Sequence, residues 1–141
     1  MMLAMNFIHE IELKVRDYEC DMQGIVNNAN YQHYMEHARH EFLGSLGQSF
    51  AALTEEGFIM MVSKISISYK TSLHSGDHFV AKLNIERKGV KLIFYQCIYR
   101  LSDNALCTKG EVEIICTKDG KLTRGEIFDK IINFFHQKIC R

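Results

Sequence analysis

The chain has 141 residues, with 17 basic and 17 acidic side chains, five cysteines, seven histidines and no proline. A chain of this length buries roughly two-thirds of its unfolded surface and needs no disulfide or metal staple, so one domain over residues 1–141 is expected. The cancelled charge argues against a nucleic-acid or anionic-membrane footprint. The odd, scattered cysteines and the lack of a signal peptide or long apolar run point to reduced thiols, no membrane insertion and a cytoplasmic location.

The first periodic segment places Phe7, Ile11, Leu13 and Val15 against Glu10, Glu12, Lys14 and Arg16, the alternation of a half-buried strand. A polar turn follows, from Asp21 through Gly24 to the pair Asn27-Asn28. Beyond it, apolar residues at Tyr31, Tyr34, Met35, Ala38, Phe42 and Leu46 recur at helical spacing, which predicts an amphipathic helix over about 29–46 with asparagines capping its start and Gly47 ending it.

From Phe58 onward a second strand settles into Ile65, Ile67 and Tyr69 opposite Ser66, Ser68 and Lys70. A third carries Phe79, Ala81, Leu83 and Ile85, and Lys88-Gly89 turns the chain. Residues 91–101 are apolar on both faces, as a central strand requires. The fifth strand is expected to point Leu106, Val112, Ile114 and Cys116 inward. In the tail, Thr123 and Glu126 have capping-box spacing before a C-terminal helix through Ile127, Phe128, Ile131, Phe135 and Ile139. Hairpin-length connections cannot make parallel crossovers, so the class is α+β: an antiparallel sheet with the long helix across one face.

Asp21 is the residue with the most chemistry to offer. It stands seven residues before Asn28, just ahead of a helix start whose unpaired N–H groups and partial positive charge would polarise a carbonyl oxygen. A carboxylate facing that carbonyl could attack it or activate a water, and a thioester needs no strong general acid because a thiolate leaves readily. The competing reading is purely structural, since Asp and Gly are favoured at the first and fourth positions of a β-turn. Other candidates are weaker. His33 and His37 have helical i, i+4 spacing but no acid completes a HExxH pattern, so no metal is expected. Cys20 lacks a positioned base and reads as a small strand-end residue.

The nineteen positions Asp21 to Arg39, D-M-Q-G-I-V-N-N-A-N-Y-Q-H-Y-M-E-H-A-R, resemble the signature of hot-dog fold thioesterases, the 4-hydroxybenzoyl-CoA and YbgC-like acyl-CoA thioesterase group. The resemblance implies a five-stranded antiparallel sheet wrapped around a long central helix, and it implies roles. Asp21 falls where the family carries its catalytic carboxylate, as nucleophile or general base. Asn28 and Ala29 fall at the helix opening that meets the thioester carbonyl, and Gly24, Val26, Asn27 and Tyr31 at positions beside the substrate. Arg87, Lys88 and Lys91 cluster where the family commonly meets coenzyme A phosphates; a solvated hairpin tip is the equal alternative.

Glu36 is the rival carboxylate, with a structural pairing to Arg39 or His40 expected instead. The resemblance further implies an acyl-CoA substrate, with acyl-ACP open because Val-Asn-Asn-x-x-Tyr also resembles that branch. It implies no cofactor, and a homodimer or dimer of dimers with sheets paired edge to edge. Ile25 stands where some relatives have histidine, and Asn28 where the aryl-substrate branch has an aromatic residue. A 3-hydroxyacyl dehydratase and a non-catalytic acyl-binding module are the other readings.

Overall fold

The computed structural model describes residues 6–139. Strand β1 (His9–Lys14) leads through a short 3-10 turn at Asp17–Glu19 into the long helix α1 (Asn28–Gly44) and a shorter helix α2 (Gln48–Glu55). Four strands follow as successive antiparallel hairpins or returns: β2 (Phe58–Tyr69), β3 (His78–Lys88), β4 (Lys91–Arg100) and β5 (Ala105–Lys118). A two-residue strand β6 (Lys121–Leu122) and helix α3 (Glu126–Ile139) complete the described chain. The sheet order is β1-β3-β4-β5-β2, antiparallel throughout, with β6 on β5.

Helix α1 lies across the inner face of this sheet, buried through Tyr31, Tyr34, Met35, Ala38, Arg39 and Phe42. Its ring contacts map the crossing: Tyr34 packs on Phe79 of β3 at 4.6 Å between centroids, and Phe42 meets Phe94 of β4 at 6.3 Å. At the centre, β5 offers Gly110, where an added Cβ would sit 2.9 Å from Cε of the fully buried Met35. This is the expected hot-dog arrangement, and β4 is its buried centre, with Leu92, Ile93 and Phe94 all inside. Ile127, Phe128 and Ile131 of α3 join the same core.

Four local expectations need correction. Helix α1 ends at Gly44, where Ser45 N–H turns back to the Glu41 carbonyl at 3.0 Å, and Gly47 at φ 69° instead opens the link to α2. That second helix carries too few positions to show a period. In β5 the inward residue is Cys107, fully buried, and Leu106 is only partly so; the ladder to β4 shifts register beyond Ile98, which reverses the side-chain alternation at that point. Thr123 does not cap α3 in the expected way. Its hydroxyl donates to the Cys116 carbonyl at 3.1 Å and accepts the Gly125 amide at 3.1 Å, so the helix begins only at Glu126.

Candidate active site

The loop from Cys20 to Asn27 is a tight reversal held against the start of α1. Asp21 N–H donates to the Ile25 carbonyl at 2.9 Å and Gly24 N–H to the Asp21 carbonyl at 3.0 Å, with Gly24 at φ 79°, a left-handed conformation that glycine takes without strain. Cys20 and Val26 bridge across the base of the loop, and Val26 N–H reaches the Leu73 carbonyl at 2.9 Å. The Asp21 carboxylate is exposed and carries its turn role openly: Oδ1 accepts Gln23 N–H at 2.9 Å and Ile25 N–H at 3.4 Å. Both readings of Asp21 therefore meet in one geometry. The side chain shapes the turn while its carboxylate faces solvent just ahead of the helix start.

Glu19 fastens this loop to the helix. Its backbone carbonyl accepts Asn27 N–H at 3.1 Å and the Asn30 side-chain amide at 2.8 Å, and its carboxylate Oε1 accepts the Tyr34 hydroxyl at 2.8 Å. Burial, followed by that bond to Glu19, pushes the Tyr34 hydroxyl far above the ordinary phenol range. Tyr31 is fastened from the other side, its hydroxyl accepting Leu73 N–H at 2.9 Å, and burial raises its pKa too. Sequence reasoning missed Glu19, because the partners that join it to α1 lie eight to fifteen residues ahead and meet it only once the chain has folded.

At the helix start, Asn27 is the cap: its Oδ1 accepts Ala29 N–H at 2.9 Å, and its carbonyl accepts Asn30 N–H at 2.9 Å. Two of the first amides are thus already occupied. Asn28 N–H has no acceptor among the described residues. Above it stands Tyr69, the last residue of β2, half-exposed, with its ring 5.6 Å from Tyr31 and its hydroxyl 3.4 Å from the Asn28 carbonyl. Tyr69 was read only as a strand residue, and its place over the helix start depends on the sheet order.

The other predicted residues fall elsewhere. Arg87, Lys88 and Lys91 sit at the β3–β4 hairpin, and β3 runs about 33 Å between that tip and His78 near the Asp21 loop. One chain alone does not bring them to Asp21. Arg87 ties the hairpin to α3 through Asp129 and the Arg124 carbonyl, Lys91 pairs with Glu113 at 2.5 Å, and Lys88 is exposed beside Glu86 at 3.7 Å.

Glu36 is exposed and makes no ion pair within 4 Å among the described residues, so the expected pairing with Arg39 or His40 is absent. Burial, and then the neighbouring acids Asp17, Asp21 and Glu19, raise the Cys20 thiol, which disfavours a thiolate there. His33 and His37 line a cleft of about 400 Å³ with Lys14, Arg16, Glu19 and Tyr34. Among the described residues no set of three or more His, Cys, Asp or Glu side chains is grouped to hold a metal, and no helix is long and apolar enough to cross a membrane.

The chain is similar to known proteins. The chain is 42% identical over 92 residues to the acyl-acyl carrier protein thioesterase ATL3, chloroplastic, of Arabidopsis thaliana, covering 65% of this chain and 48% of that protein. The chain thus spans about half the length of the plant relatives it matches. With the acyl-CoA thioester hydrolase YbgC of Escherichia coli it shares 28% identity over 120 residues, 84% of this chain and 89% of the relative. Among solved structures, a DHNA-CoA thioesterase from Staphylococcus aureus superposes with a TM-score of 0.77 at 25% identity, covering 93% of this chain and 89% of the other. A hypothetical protein from Aquifex aeolicus gives 0.78 at 27% identity, with 89% and 98% covered. The family model described as the thioesterase-like superfamily matches residues 15–133, nearly the whole of the described fold, and the chain belongs to that family.

Proposed function

We propose that the protein hydrolyses an acyl-CoA thioester to a carboxylic acid and free coenzyme A, with Asp21 as its essential carboxylate. The observation that carries this reading is an exposed carboxylate, fixed by its own turn, immediately before a capped helix start that keeps one amide open. In the general-base route, Asp21 takes a proton from water as the water oxygen bonds to the thioester carbon. The carbonyl electrons shift to oxygen, where Asn28 N–H and the positive end of α1 stabilise them; they then return, the C–S bond breaks and the thiolate leaves with the proton. In the nucleophilic route, an Asp21 oxygen bonds to that carbon first, the C–S bond breaks as the thiolate leaves, and water then cleaves the resulting anhydride, releasing the acid and restoring the Asp21 carboxylate. The Ala29 amide acts one step back, holding Asn27 in place, while Gly24, Val26 and Tyr31 set the loop that presents the acid.

The site would be completed by a second copy. Strand β2 is the longer of the sheet's two edges, and antiparallel pairing of two such edges would set the Tyr69 end of one chain beside the Phe58 end of the other. That would bring the partner's basic hairpin to the same end of the joined sheet as Asp21, where Lys88, exposed and only loosely paired with Glu86 at 3.7 Å, is the cation offered to coenzyme A phosphates. The 42% identity to a plant acyl-ACP thioesterase favours a second reading in which the carrier is a protein.

Thiol release from a panel of acyl-CoAs, run beside acyl-ACP, tests both. The Asp21→Asn variant should fold normally and lose at least the ~10²–10³ in rate that loss of one oxyanion donor costs. Wild-type turnover by that variant would remove Asp21 from the mechanism, and release from acyl-ACP alone would select the protein carrier.

A further inference from the structure

Among the described residues, two buried side-chain atoms have no hydrogen-bond partner, Thr108 Oγ1 and His9 Nε2. The threonine is sealed within the sheet, but the histidine is titratable and stands at a junction. It is the first residue of β1, lies opposite Leu83 of β3, and sets its ring on Phe42 of α1 with centroids 5.6 Å apart and planes at 63°. Phe42 in turn meets Phe135 of α3 at 6.0 Å. Three rings therefore connect a sheet edge, the end of the long helix and the second half of α3.

That second half is the weakly held part of α3. Ile127, Phe128 and Ile131 are buried, whereas Phe134 and Phe135 are only partly so and the four residues from His136 to Ile139 are exposed. His9 faces two environments as well. It is half-buried and borders an open groove with Asn6, Phe7, Glu10 and Lys82, yet its Nε2 is shut away from water.

A neutral ring leaves Nε2 without a partner at modest cost. Protonation turns the same atom into a charged donor in a pocket that offers no acceptor. The charged groups around the ring are Glu10 on its own strand, Lys82 across the groove on β3, Glu41 on α1 and Lys138 on α3. Among the described residues none lies within ion-pair distance of it. Burial first, and Lys138 after it, hold the imidazole below the ordinary histidine range against the opposing fields of Glu41 and Glu10.

We propose that His9 is an acid-released latch on the C-terminal helix: its neutral ring lets Phe42 and Phe135 close, and its protonated ring is accommodated when the second half of α3 lifts and water reaches Nε2. A histidine held below its ordinary value stabilises docking above about pH 6.5 and withdraws that stabilisation as the pH falls. The latch uses neither Asp21 nor the start of α1, so it stands independently of the hydrolytic reading.

Hydrogen–deuterium exchange of the whole chain at pH 7.5 and 5.5, corrected for the intrinsic pH dependence of amide exchange, tests it. In wild type, protection over residues 132–139 should fall severalfold at pH 5.5 while β4 keeps its protection. The ceiling is about tenfold, because a freed histidine is then protonated about ten to one. His9→Leu, which removes the titrating ring, should hold the same protection at both pH values. His9→Phe, which keeps a ring on Phe42, serves in its place if circular dichroism shows that the leucine variant does not fold. His136→Gln, on α3 but exposed, should respond like wild type, and Lys138→Gln should respond less because the closed ring then charges more easily. Unchanged protection of α3 in wild type overturns the proposal, as does a loss that persists without the His9 imidazole or one that follows His136.

Discussion

Glu19 accepts four hydrogen bonds, two on its carboxylate from Arg16 N–H and the Tyr34 hydroxyl and two on its carbonyl from Asn27 and Asn30. It is the residue that ties the segment after β1 and the Asp21 loop to the start of α1. Tyr34→Phe isolates one of these bonds, because the ring keeps its packing on Phe79 while the hydroxyl is lost. The expected cost is about 1 kcal/mol, below the ~1.5–3 kcal/mol of a bond to a buried charge because Glu19 is partly exposed and keeps its Arg16 donor, or about 3–5 °C in the unfolding midpoint. Thermal denaturation checks that value, and hydrolysis should fall with it because the loop before α1 loosens. At this scale the sequence announced the residues whose chemistry is local: Asn27 caps in its own turn, and Asp21 and Gly24 close a loop four residues long. It was silent on Glu19 and Tyr69, whose partners are fixed by distant segments folding together.

Between elements, α1 meets β5 at Gly110. Helix and sheet approach closely because Gly110 has no side chain there, and the space is taken by Met35, whose carbonyl also anchors Gln96 of β4, the residue paired with Gly110. Gly110→Ala would place a Cβ 2.9 Å from Met35 Cε. Methionine is flexible, but Met35 is fully buried, so the adjustment must spread into its neighbours. The expected destabilisation is about 1–3 kcal/mol, read as a lower denaturation midpoint with an unchanged denaturant slope, and Gly110→Ala combined with Met35→Ala should recover part of the overpacking strain. A neutral Gly110→Ala would show that the helix can lift without cost.

Helix and strand periods made α1, β2 and β3 legible from residues such as Tyr31, Phe42, Ile65 and Leu83, and apolar character on both faces marked β4. Departures from period were not legible. The register shift that buries Cys107 in place of Leu106 depends on how β4 and β5 pair, and the Arg39–Gln96 bond spans 57 positions.

The whole molecule presents one long edge. β2 is hydrogen-bonded on one side only, to β5, and exposes Ile59, Met61 and Val62, which are 56%, 43% and 48% accessible. A twelve-residue edge of this kind is a template for pairing with another strand unless charge, proline or a cover blunts it. Here Lys64 is the one charged side chain within β2, and it faces Glu113 across the ladder to β5. The proposed self-pairing answers the exposed edge and also joins the Asp21 end of one chain to the hairpin end of its partner. Two lysines introduced together at Met61 and Val62 of each chain would crowd four new positive charges around the two Lys64 side chains in that pairing while leaving the core untouched. Sedimentation should then move from dimer to monomer, with melting of the isolated chain little changed because both positions are solvent-facing, and thiol release should drop in step with the dimer fraction. Full activity in a monomeric double variant would mean that one chain holds a complete site, with Lys88 idle; a dimer that survives both lysines would place the contact on another face.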